Sequence, residues 1–414
     1  MTKEKSTVPR LRFPGFTDAW KQRKLGEVAE INPKSVLPDE FEYVDLESVV
    51  GTEMISHRTE YKNSAPSRAQ RVASKGDIFY QTVRPYQKNN YLFDIDSDDF
   101  VFSTGYAQLR PSCNGYFMFT VIQTEKFVNN VLDNCTGTSY PAINANKLAE
   151  ISIFLPPTVT PLTVRALPEQ EAIGSFFSDL DQLITLHQRK LDDIKELKKA
   201  LLQKMFPKGN GNDFPELRFP EFTDAWKQRK LGEVSKRVTR RNKELISSLP
   251  LTISAQHGLV DQEEFFNKQV ASKDVSSYYL IKKGEFAYNK SYSNGYPWGA
   301  IKRLDRYEMG VLSTLYIIFK PTSLICSDYL VSYYDTVNWY KEVSMIAAEG
   351  ARNHGLLNIA PNDFFETRLF IPTLPEQEAI GSFFSDLDQL ITLHQRQLDH
   401  LKLLKKALLQ QMFI

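Results

Sequence analysis

A long internal repeat is the feature that most constrains how this chain of 414 residues folds. Residues 217–234 repeat residues 11–28, which read LRFPGFTDAWKQRKLGEV, with a single change. Residues 374–413 repeat residues 167–206 with five changes, and the first 23 positions of this pair are identical. Because the two offsets are 206 and 207 residues, one unit of that length occurs twice, and we predict two structurally similar halves.

The segments between the repeated frames have diverged. Residues 29–166 and residues 235–373 share only short echoes, such as Lys-Gly-Asp at 75–77, which recurs as Lys-Gly-Glu at 283–285. The matched order of these echoes favours a common fold for the two inserts, with chance as the alternative for motifs so short. Nearly constant frames around divergent inserts predict a constant scaffold that carries two different recognition modules.

The order of frames and inserts divides the chain into five segments. We predict a first domain at 1–166, made of a frame segment at 11–28 and an insert at 29–166; a long helix at 167–206; a linker at 207–216; a second domain at 217–373, made of a frame segment at 217–234 and an insert at 235–373; and a second long helix at 374–414. The linker prediction rests on Pro, Gly and Asn residues, a composition typical of flexible connections.

Each long frame is predicted to be a single helix. Pro168 suits the first helical position, Glu169 places negative charge at the positive end of the helix dipole, and Pro207 ends the helix. About 38 residues at ~1.5 Å each give a helix of roughly 57 Å.

Apolar residues recur along both long frames roughly every 3.5 residues, which predicts a coiled-coil seam with a histidine and a lysine as polar interruptions. The predicted seam positions are Ile173, Phe177, Leu180, Ile184, His187, Leu191, Ile194 and Leu201, and in the second copy Ile380, Phe384, Leu387, Ile391, His394, Leu398, Leu401 and Leu408. An ordinary buried helix is the alternative interpretation. Since an equal partner lies in the same chain, we favour an antiparallel pair related by a pseudo-twofold axis.

Both inserts alternate short β-rich runs with loops rich in Gly, Pro and Asn, which is typical of mixed α/β domains. The predicted elements are strands at 77–83 and 315–319, helices at 126–133 and 328–343, and closing strands at 151–155 and 369–371. The predicted fold class is therefore α/β (α+β). It comprises two tandem mixed α/β domains, each built around a twisted sheet, separated by an antiparallel coiled coil of two long helices.

Certain loops of the inserts carry the side-chain types that read DNA. Arg and Lys pair with the guanine edge in the major groove, and Asn and Gln pair with the adenine edge. The candidate DNA-binding residues are Gln81, Arg84, Tyr86, Lys88, Asn89, Thr138, Ser139 and Tyr140 in the first insert, and Arg240, Arg241, Asn289, Lys290, Tyr292, Asn294, Tyr296, Arg352, Asn353 and His354 in the second. Because exposed loops are polar in most proteins, ordinary solvated loops are the alternative.

Composition and missing motifs argue against several function classes. The net charge of +1 gives no basic signature, and the sequence contains no GxxxxGK[ST], no GxGxxG after a strand and no HExxH. Three cysteines without a CxxC pair argue against disulfides and zinc, which fits a reducing cytosol. No apolar run approaches the ~18 residues of a membrane span, and the first residues lack the apolar core of a signal peptide. We therefore expect a cytoplasmic chain without a catalytic site, a metal or a cofactor of its own.

The two repeated frames resemble those of the specificity subunits of type I restriction–modification systems. The resemblance rests on the blocks LRFPxFTDAWKQRKLGEV and LPEQEAIGSFFSDLDQLITLHQRKLDDIKELKKALLQKMF, and it spans essentially the whole chain. It implies that the two domains are target-recognition domains, each reading one half of a bipartite site in double-stranded DNA. It also implies that the two helices set the spacing between the half-sites and dock two methyltransferase subunits.

The same resemblance places the chemistry on partner subunits. The methyltransferases use S-adenosylmethionine to methylate adenine N6, and separate motor/nuclease subunits use ATP and Mg to cleave unmethylated DNA. Because the inserts vary widely in this family, the resemblance assigns no single base contact in this chain. A coiled-coil scaffold protein without sequence-specific DNA reading is the alternative function, and base-specific retardation of DNA distinguishes the two.

Overall fold

The computed structural model describes residues 7–157, 169–208, 214–292, 295–347 and 357–414. Two compact units divide the chain. The first unit extends to Gln188 and also takes in Arg396–Ile414, whereas the second unit comprises Arg189–Gln395. The predicted layout treats the long helices as separate segments, but the compact units instead divide each helix in the middle.

The first unit alternates short strands and helices along the chain. Its strands are β1 (Lys21–Lys24), β2 (Ala29–Ile31), β3 (Glu40–Val44), β4 (Val49–Val50), β5 (Glu53–Met54), β6 (Arg58–Tyr61), β7 (Ala69–Val72), β8 (Ile78–Gln81), β9 (Tyr91–Leu92), β10 (Phe100–Ser103), β11 (Tyr106–Pro111) and β12 (Ser152–Leu155). Its helices are α1 (Leu25–Val28), α2 (Gly115–Gln123), α3 (Glu125–Leu132), α4 (Ala145–Ala149) and the first half of α5 (Glu169–Lys204).

The second unit follows a similar order. Its strands are β13 (Lys227–Lys230), β14 (Ser235–Val238), β15 (Leu251–Ser254), β16 (Gly258–Asp261), β17 (Tyr279–Lys282), β18 (Phe286–Asn289), β19 (Ala300–Arg303), β20 (Met309–Leu312), β21 (Ile317–Pro321) and β22 (Arg368–Ile371). Its helices are α6 (Leu231–Val234), α7 (Gln262–Phe266), α8 (Ser327–Tyr334), α9 (Asn338–Ile346), α10 (Pro361–Phe365) and the first half of α11 (Leu374–Met412).

A four-stranded sheet of the same topology occurs in both units. Its strand order is β2-β11-β8-β9 in the first unit and β14-β21-β18-β19 in the second, and all pairs are antiparallel. The frame strands β1 and β13 likewise pair with the closing strands β12 and β22. The mixed α/β class is therefore confirmed, and the short echoes between the inserts mark a shared sheet.

The remainder of each insert differs between the units. The first unit has a second four-stranded sheet, β6-β3-β10-β7, in which β3 and β10 are parallel. The second unit has the two-stranded pairs β15-β16 and β17-β20 together with the short helix α7. The two inserts thus differ in fold outside the shared sheet.

The structure corrects some predicted element boundaries. The strand expected at 77–83 ends at Gln81, and the single helix expected at 328–343 is wrong, since α8 and α9 are separate. The break between them begins at Asp335, whose carboxylate accepts hydrogen bonds from two lysines. Apolar periodicity alone did not reveal this break, because the residues on both sides of it pack into one core.

Helix halves pack antiparallel within the second unit. Lys198 Nζ on α5 lies 2.7 Å from Asp388 Oδ1 on α11, and the ring centroid of Phe206 lies 6.2 Å from that of Phe384. A later residue of the first helical frame therefore contacts an earlier residue of the second. This is the direction expected of an antiparallel pair.

The first unit repeats this arrangement with the roles of the helices exchanged. Lys405 on α11 donates a hydrogen bond to Asp181 on α5, and the ring centroids of Phe413 and Phe177 are 5.8 Å apart. These residues occupy the repeat positions of the second-unit contacts. Each unit is thus completed by the C-terminal part of the frame from the other repeat.

The predicted seam positions are buried to different degrees. The first turns of each helix pack into the core of a unit rather than only against another helix, through Ile173, Phe177, Leu180, Ile380, Phe384 and Leu387. Near the middle of each helix, Leu191 and Leu398 are buried. The other positions are partly exposed, namely Ile184, His187, Ile194, Leu201, Ile391, His394, Leu401 and Leu408.

A buried carboxylate at the start of each long helix holds the short frame in place. Glu169 accepts hydrogen bonds from Arg12 at 2.6 and 2.7 Å and from Trp20 Nε1 at 3.3 Å. The second unit repeats this clamp with Arg218, Trp226 and Glu376. The tryptophans of the short frames are therefore packing residues.

Candidate nucleic-acid interface

A tight turn orients the strand that leads into the candidate loops of each unit. Gly76 has a φ of +93° in the first unit, and Gly284 has a φ of +82° in the second. The buried carboxylate of Asp77 accepts hydrogen bonds from Arg110 Nε and Nη2, both at 2.8 Å. The Lys-Gly-Asp echo is therefore a structural turn that requires glycine, since other residues disfavour this φ.

In the second unit, the carboxylate of the equivalent turn pairs with a different arginine. Glu285 accepts a hydrogen bond from Arg240 Nη2 at 2.9 Å, and Arg240 Nη1 donates to the carbonyl oxygen of Leu280 at 3.0 Å. The guanidinium of Arg240 therefore stabilises the turn, and its contact with DNA stays a prediction. Arg241 is exposed and lies 4.8 Å from the ring centroid of Tyr279, so it stays a candidate.

Two loops of the first unit converge beyond the end of β8. Arg84 N donates to the carbonyl oxygen of Pro141 at 2.8 Å, and Val83 forms a bridge with Ala142. The convergence brings the predicted loop residues of both segments to one surface. Those with exposed side chains are Tyr86, Thr138, Ser139 and Tyr140, and Arg84 is partly exposed.

Arg84 is stacked on an aromatic side chain at this surface. Its guanidinium carbon lies 4.3 Å from the ring centroid of Tyr140, a distance typical of a cation–π contact. The Tyr140 side chain is 63% exposed, so the stack faces solvent. Arg84 thus places a cation at this surface, and the ring restricts its orientation.

Three other predicted residues of the first insert form hydrogen bonds within the protein. Gln81 is 3% exposed and its Nε2 donates to Val83 O at 2.6 Å. Lys88 Nζ lies 2.8 Å from Glu125 Oε1, and Asn89 Oδ1 accepts from Gly51 N at 2.9 Å. These contacts hold the loop in shape, and a role of the three side chains in DNA contact stays a prediction.

Several buried polar atoms below this loop lack a hydrogen-bond partner. They are Tyr80 Oη, Gln81 Oε1, Asn90 Nδ2 and Gln123 Nε2. Burial raises the pKa of Tyr80, so its hydroxyl stays protonated at neutral pH. Buried groups of this kind are usually satisfied by protein or ordered water, and they make the base of the loop polar.

The equivalent loops of the second unit also converge. Leu357 N donates to Lys290 O at 2.9 Å, as Ile143 N donates to Thr82 O in the first unit. Burial lowers the pKa of Lys290, whose Nζ donates to Ile359 O at 3.2 Å. Lys290 therefore supports its own loop, and its contact with DNA stays a prediction.

An aromatic residue is exposed at the second surface. Tyr292 is 60% exposed, whereas Tyr296 is partly exposed and Asn289 Oδ1 accepts from Ser291 N at 3.0 Å. The remaining predicted residues lie outside the described residues, and these are Asn294, Arg352, Asn353 and His354. Tyr292 is thus the best-placed described candidate of this surface.

A cleft of about 1320 Å³ lies within the second unit, between the C-terminal half of α5 and strand β19. Basic side chains outnumber acidic ones along it, and Lys195, Lys199 and Lys204 contribute from the helix. Tyr296 also lines this cleft. The cleft therefore has the charge of a surface that attracts phosphate groups.

Neither a metal cluster nor a membrane helix is found in the described parts of the chain. Groups of three or more His, Cys, Asp or Glu side chains placed to bind a metal are absent there. Among the same residues, no helix combines the length and apolarity needed to cross a bilayer.

Comparison with protein families identifies a domain in the first half of the chain. Residues 17–196 match the model of the type I restriction modification DNA specificity domain. The HindI specificity subunit of a type I restriction enzyme from Haemophilus influenzae is 23% identical over 210 residues, covering 45% of this chain and 40% of that protein. The MjaVIII specificity subunit from Methanocaldococcus jannaschii is 24% identical over 165 residues, covering 39% of this chain and 31% of that protein. The chain thus spans less than half the length of these two relatives.

A solved structure shows the same fold along nearly the whole chain. It is the S subunit of a type I restriction–modification system from M. genitalium, with a TM-score of 0.61 at 14% identity. The match covers 98% of this chain and 99% of that one.

Proposed function

We propose that the chain is a specificity subunit of a type I restriction–modification system, and that it reads DNA for partner enzymes. Each unit recognises one half of a bipartite site in double-stranded DNA through the converging loops of its insert. The observation that carries this proposal is a shared sheet that presents different side chains at the same place. The exposed side chain at this place is Arg84 in the first unit and Tyr292 in the second.

The two parts of each recognition surface have different roles in this proposal. Exposed loop residues contact base edges, which carry the sequence information. Basic side chains such as those of the second-unit cleft contact phosphates, which add affinity without sequence preference. Since each long helix contributes to both units, we propose that helix length sets the number of base pairs between the two half-sites.

The long helices also supply surfaces for partner subunits. In the repeated first part of each helix, leucines are exposed at equivalent positions: Leu183 and Leu186 in the first unit, and Leu390 and Leu393 in the second. Exposed apolar side chains in a row are a common mark of interaction sites. We propose that each row docks one methyltransferase subunit, and that motor/nuclease subunits join the same complex.

The chemistry is proposed to reside on those partners. S-adenosylmethionine binds to the methyltransferases and ATP with Mg binds to the motor/nuclease subunits, while this chain holds no cofactor and is not an enzyme. The sequence supports this by its lack of nucleotide-binding motifs. Calorimetric titration of the isolated chain with S-adenosylmethionine tests it, because saturable binding would contradict a non-catalytic role.

Exchange of one insert tests DNA reading directly. Residues 235–373 are replaced by the insert of another specificity subunit, and methylated adenines are mapped across the genome of cells that also express the methyltransferase. We expect one half of the methylated site to change and the other half to stay, because the first unit is untouched. A change in both halves, or in neither, would contradict two independent readers. Sequence-independent methylation by the unaltered chain would instead support the scaffold alternative.

A further inference from the structure

The backbone of Arg84 adopts a conformation that is unusual for a residue with a side chain. Its φ of 53° and ψ of 55° lie in the left-handed region, which Cβ contacts disfavour. Hydrogen bonds hold the residue there, since Arg84 N donates to Pro141 O at 2.8 Å and Arg84 O accepts from Gln87 N at 3.0 Å. Residues held in such conformations are concentrated at functional sites.

The guanidinium of Arg84 is oriented but not neutralised. Other arginines of the first unit pair with carboxylates, Arg58 with Asp45 and Arg110 with Asp77. Arg84 instead stacks on the Tyr140 ring, and within the described residues no carboxylate lies within ion-pair distance of it. The stack fixes the plane of the fork and leaves its N–H donors available for a ligand.

The position of Arg84 is a point at which the two units differ. The turns at 75–77 and 283–285 align the shared strands, and this alignment places Tyr292 at the position of Arg84. Both residues are two positions beyond a carbonyl that accepts a hydrogen bond from the converging loop. A position that follows the same hydrogen bond between loops but carries a different side chain in each unit suits a residue that sets specificity.

We infer that Arg84 reads a guanine in the half-site of the first unit. The two donors of its fork bond to guanine O6 and N7 in the major groove, while Tyr140 holds the guanidinium plane. This inference rests on the proposed function and adds the base and the residue that reads it.

The surroundings favour a base over a phosphate as the ligand. The first insert, residues 29–166, contains 12 basic and 16 acidic residues, whereas phosphate-binding surfaces are basic. The exposed neighbours Tyr86, Thr138 and Ser139 are uncharged. A single stacked arginine in such a setting suits planar, bidentate recognition, which lysine does not reproduce.

The variant Arg84→Lys distinguishes a base from a phosphate as the ligand of Arg84. The full chain is expressed with its methyltransferase partner, and methylation is measured at sites that differ by single bases from the wild-type site. For a base-reading arginine, the preference for guanine at one position of the first half-site falls by about 10- to 100-fold. The second half-site keeps its sequence and reports that the complex is assembled and active. Arg68→Lys, at an exposed position of the same unit, is the control and leaves both half-sites unchanged.

Three results would overturn the inference. An unchanged site in Arg84→Lys and in Arg84→Ala shows that Arg84 reads no base. An equal loss of methylation at all sequences, in a complex that still assembles, shows a phosphate or structural role. Failure of the wild-type chain to produce a bipartite site is a different outcome, since it rejects the proposed function itself and this inference with it.

A second pair of variants tests the contribution of the ring. Tyr140→Phe keeps the stack and is expected to keep the guanine preference, whereas Tyr140→Ala lowers it at the same base position. Equal behaviour of the two variants would contradict the role of Tyr140 in orienting Arg84.

Discussion

In both units a buried carboxylate of the repeated turn pairs with an arginine, but the two arginines lie at different places in the fold. In the first unit, the turn carboxylate Asp77 is paired with Arg110 on the neighbouring strand β11. In the second unit, Glu285 is paired with Arg240, which follows strand β14. The charge pair is therefore repeated, but its cation comes from another part of the fold. Two diverged inserts can keep one sheet as long as each buried carboxylate has a partner, because an unpaired buried charge is costly.

The surfaces of the two long helices are identical in one part and different in another. The first part of the long frame is identical in both copies, and the five changes lie in the second part. Each unit combines a first part with a second part from the other copy. The proposed docking surfaces therefore share one half and differ in the other, where the first unit exposes Leu403 and the second carries Glu196. If both methyltransferase subunits dock in the same way, they must contact the half of each docking surface that is identical in the two units.

Truncation of the last phenylalanine of each long frame gives the largest expected contrast between the units. Phe206 is 1% exposed and packs against Trp226 and Tyr329, with ring centroids 6.0 and 5.5 Å away. Its repeat partner Phe413 is only partly buried. We expect Phe206→Ala to lower the free energy of unfolding of the second unit by about 3–5 kcal/mol. Phe413→Ala should cost the first unit less, about 1–2 kcal/mol.

Hydrogen exchange measures the two effects separately, because amides of β8 and β11 report on the first unit and amides of β18 and β21 on the second. Equal losses of protection in the two variants would show that exposure in the static structure does not govern this contrast.

A buried charge network in the second unit gives the next effect. Asp335 accepts hydrogen bonds from Lys302 at 2.7 Å and from Lys198 at 2.9 Å, and Lys198 also contacts Asp388. We expect Asp335→Asn to cost about 2–3 kcal/mol, since it leaves Lys302 without its carboxylate in a poorly solvated place. Asp388→Asn is the matched control and should cost less, because the Asp388 side chain is 47% exposed. Chemical denaturation followed by fluorescence compares the two variants.

The network also predicts a dependence on pH. Burial alone would raise the pKa of Asp335, but Lys302 and Lys198 hold it below its ordinary value. A carboxyl group with a lowered folded pKa stabilises the protein above its unfolded pKa of about 3.9, and this contribution is lost as the pH falls through the folded pKa. Wild-type protein should therefore lose stability below about pH 4 more steeply than Asp335→Asn. Parallel acid profiles of the two proteins would contradict this assignment.

How far the sequence predicts the structure depends on the kind of signal. The repeat and the apolar spacing predict two related α/β domains and two long helices, and these are confirmed. The division of each helix between units was not predicted, because periodicity records burial and not the element that provides it. Among the loop residues, Arg84 and Tyr140 are exposed at one surface, whereas Gln81 and Arg240 are used internally. Polar residue type alone does not distinguish a free side chain from one that is already bonded.

The smallest effects are expected at the glycines of the repeated turns. There we expect the same loss of stability in both units. Gly76 and Gly284 have φ values of +93° and +82°, and a Cβ added to either would meet no atom within 4 Å. The cost of alanine therefore comes from the backbone alone, and we expect about 1–2 kcal/mol at each position. Gly115, in the first turn of α2, has a Cβ position with ordinary contacts at 3.7 and 3.9 Å and serves as the control. Gly115→Ala should be close to neutral, because alanine is favoured in helices. Thermal unfolding compares the stability of the three variants. A clear difference between Gly76→Ala and Gly284→Ala would mean that the two turns are not equivalent, although they occupy the same place in the shared sheet.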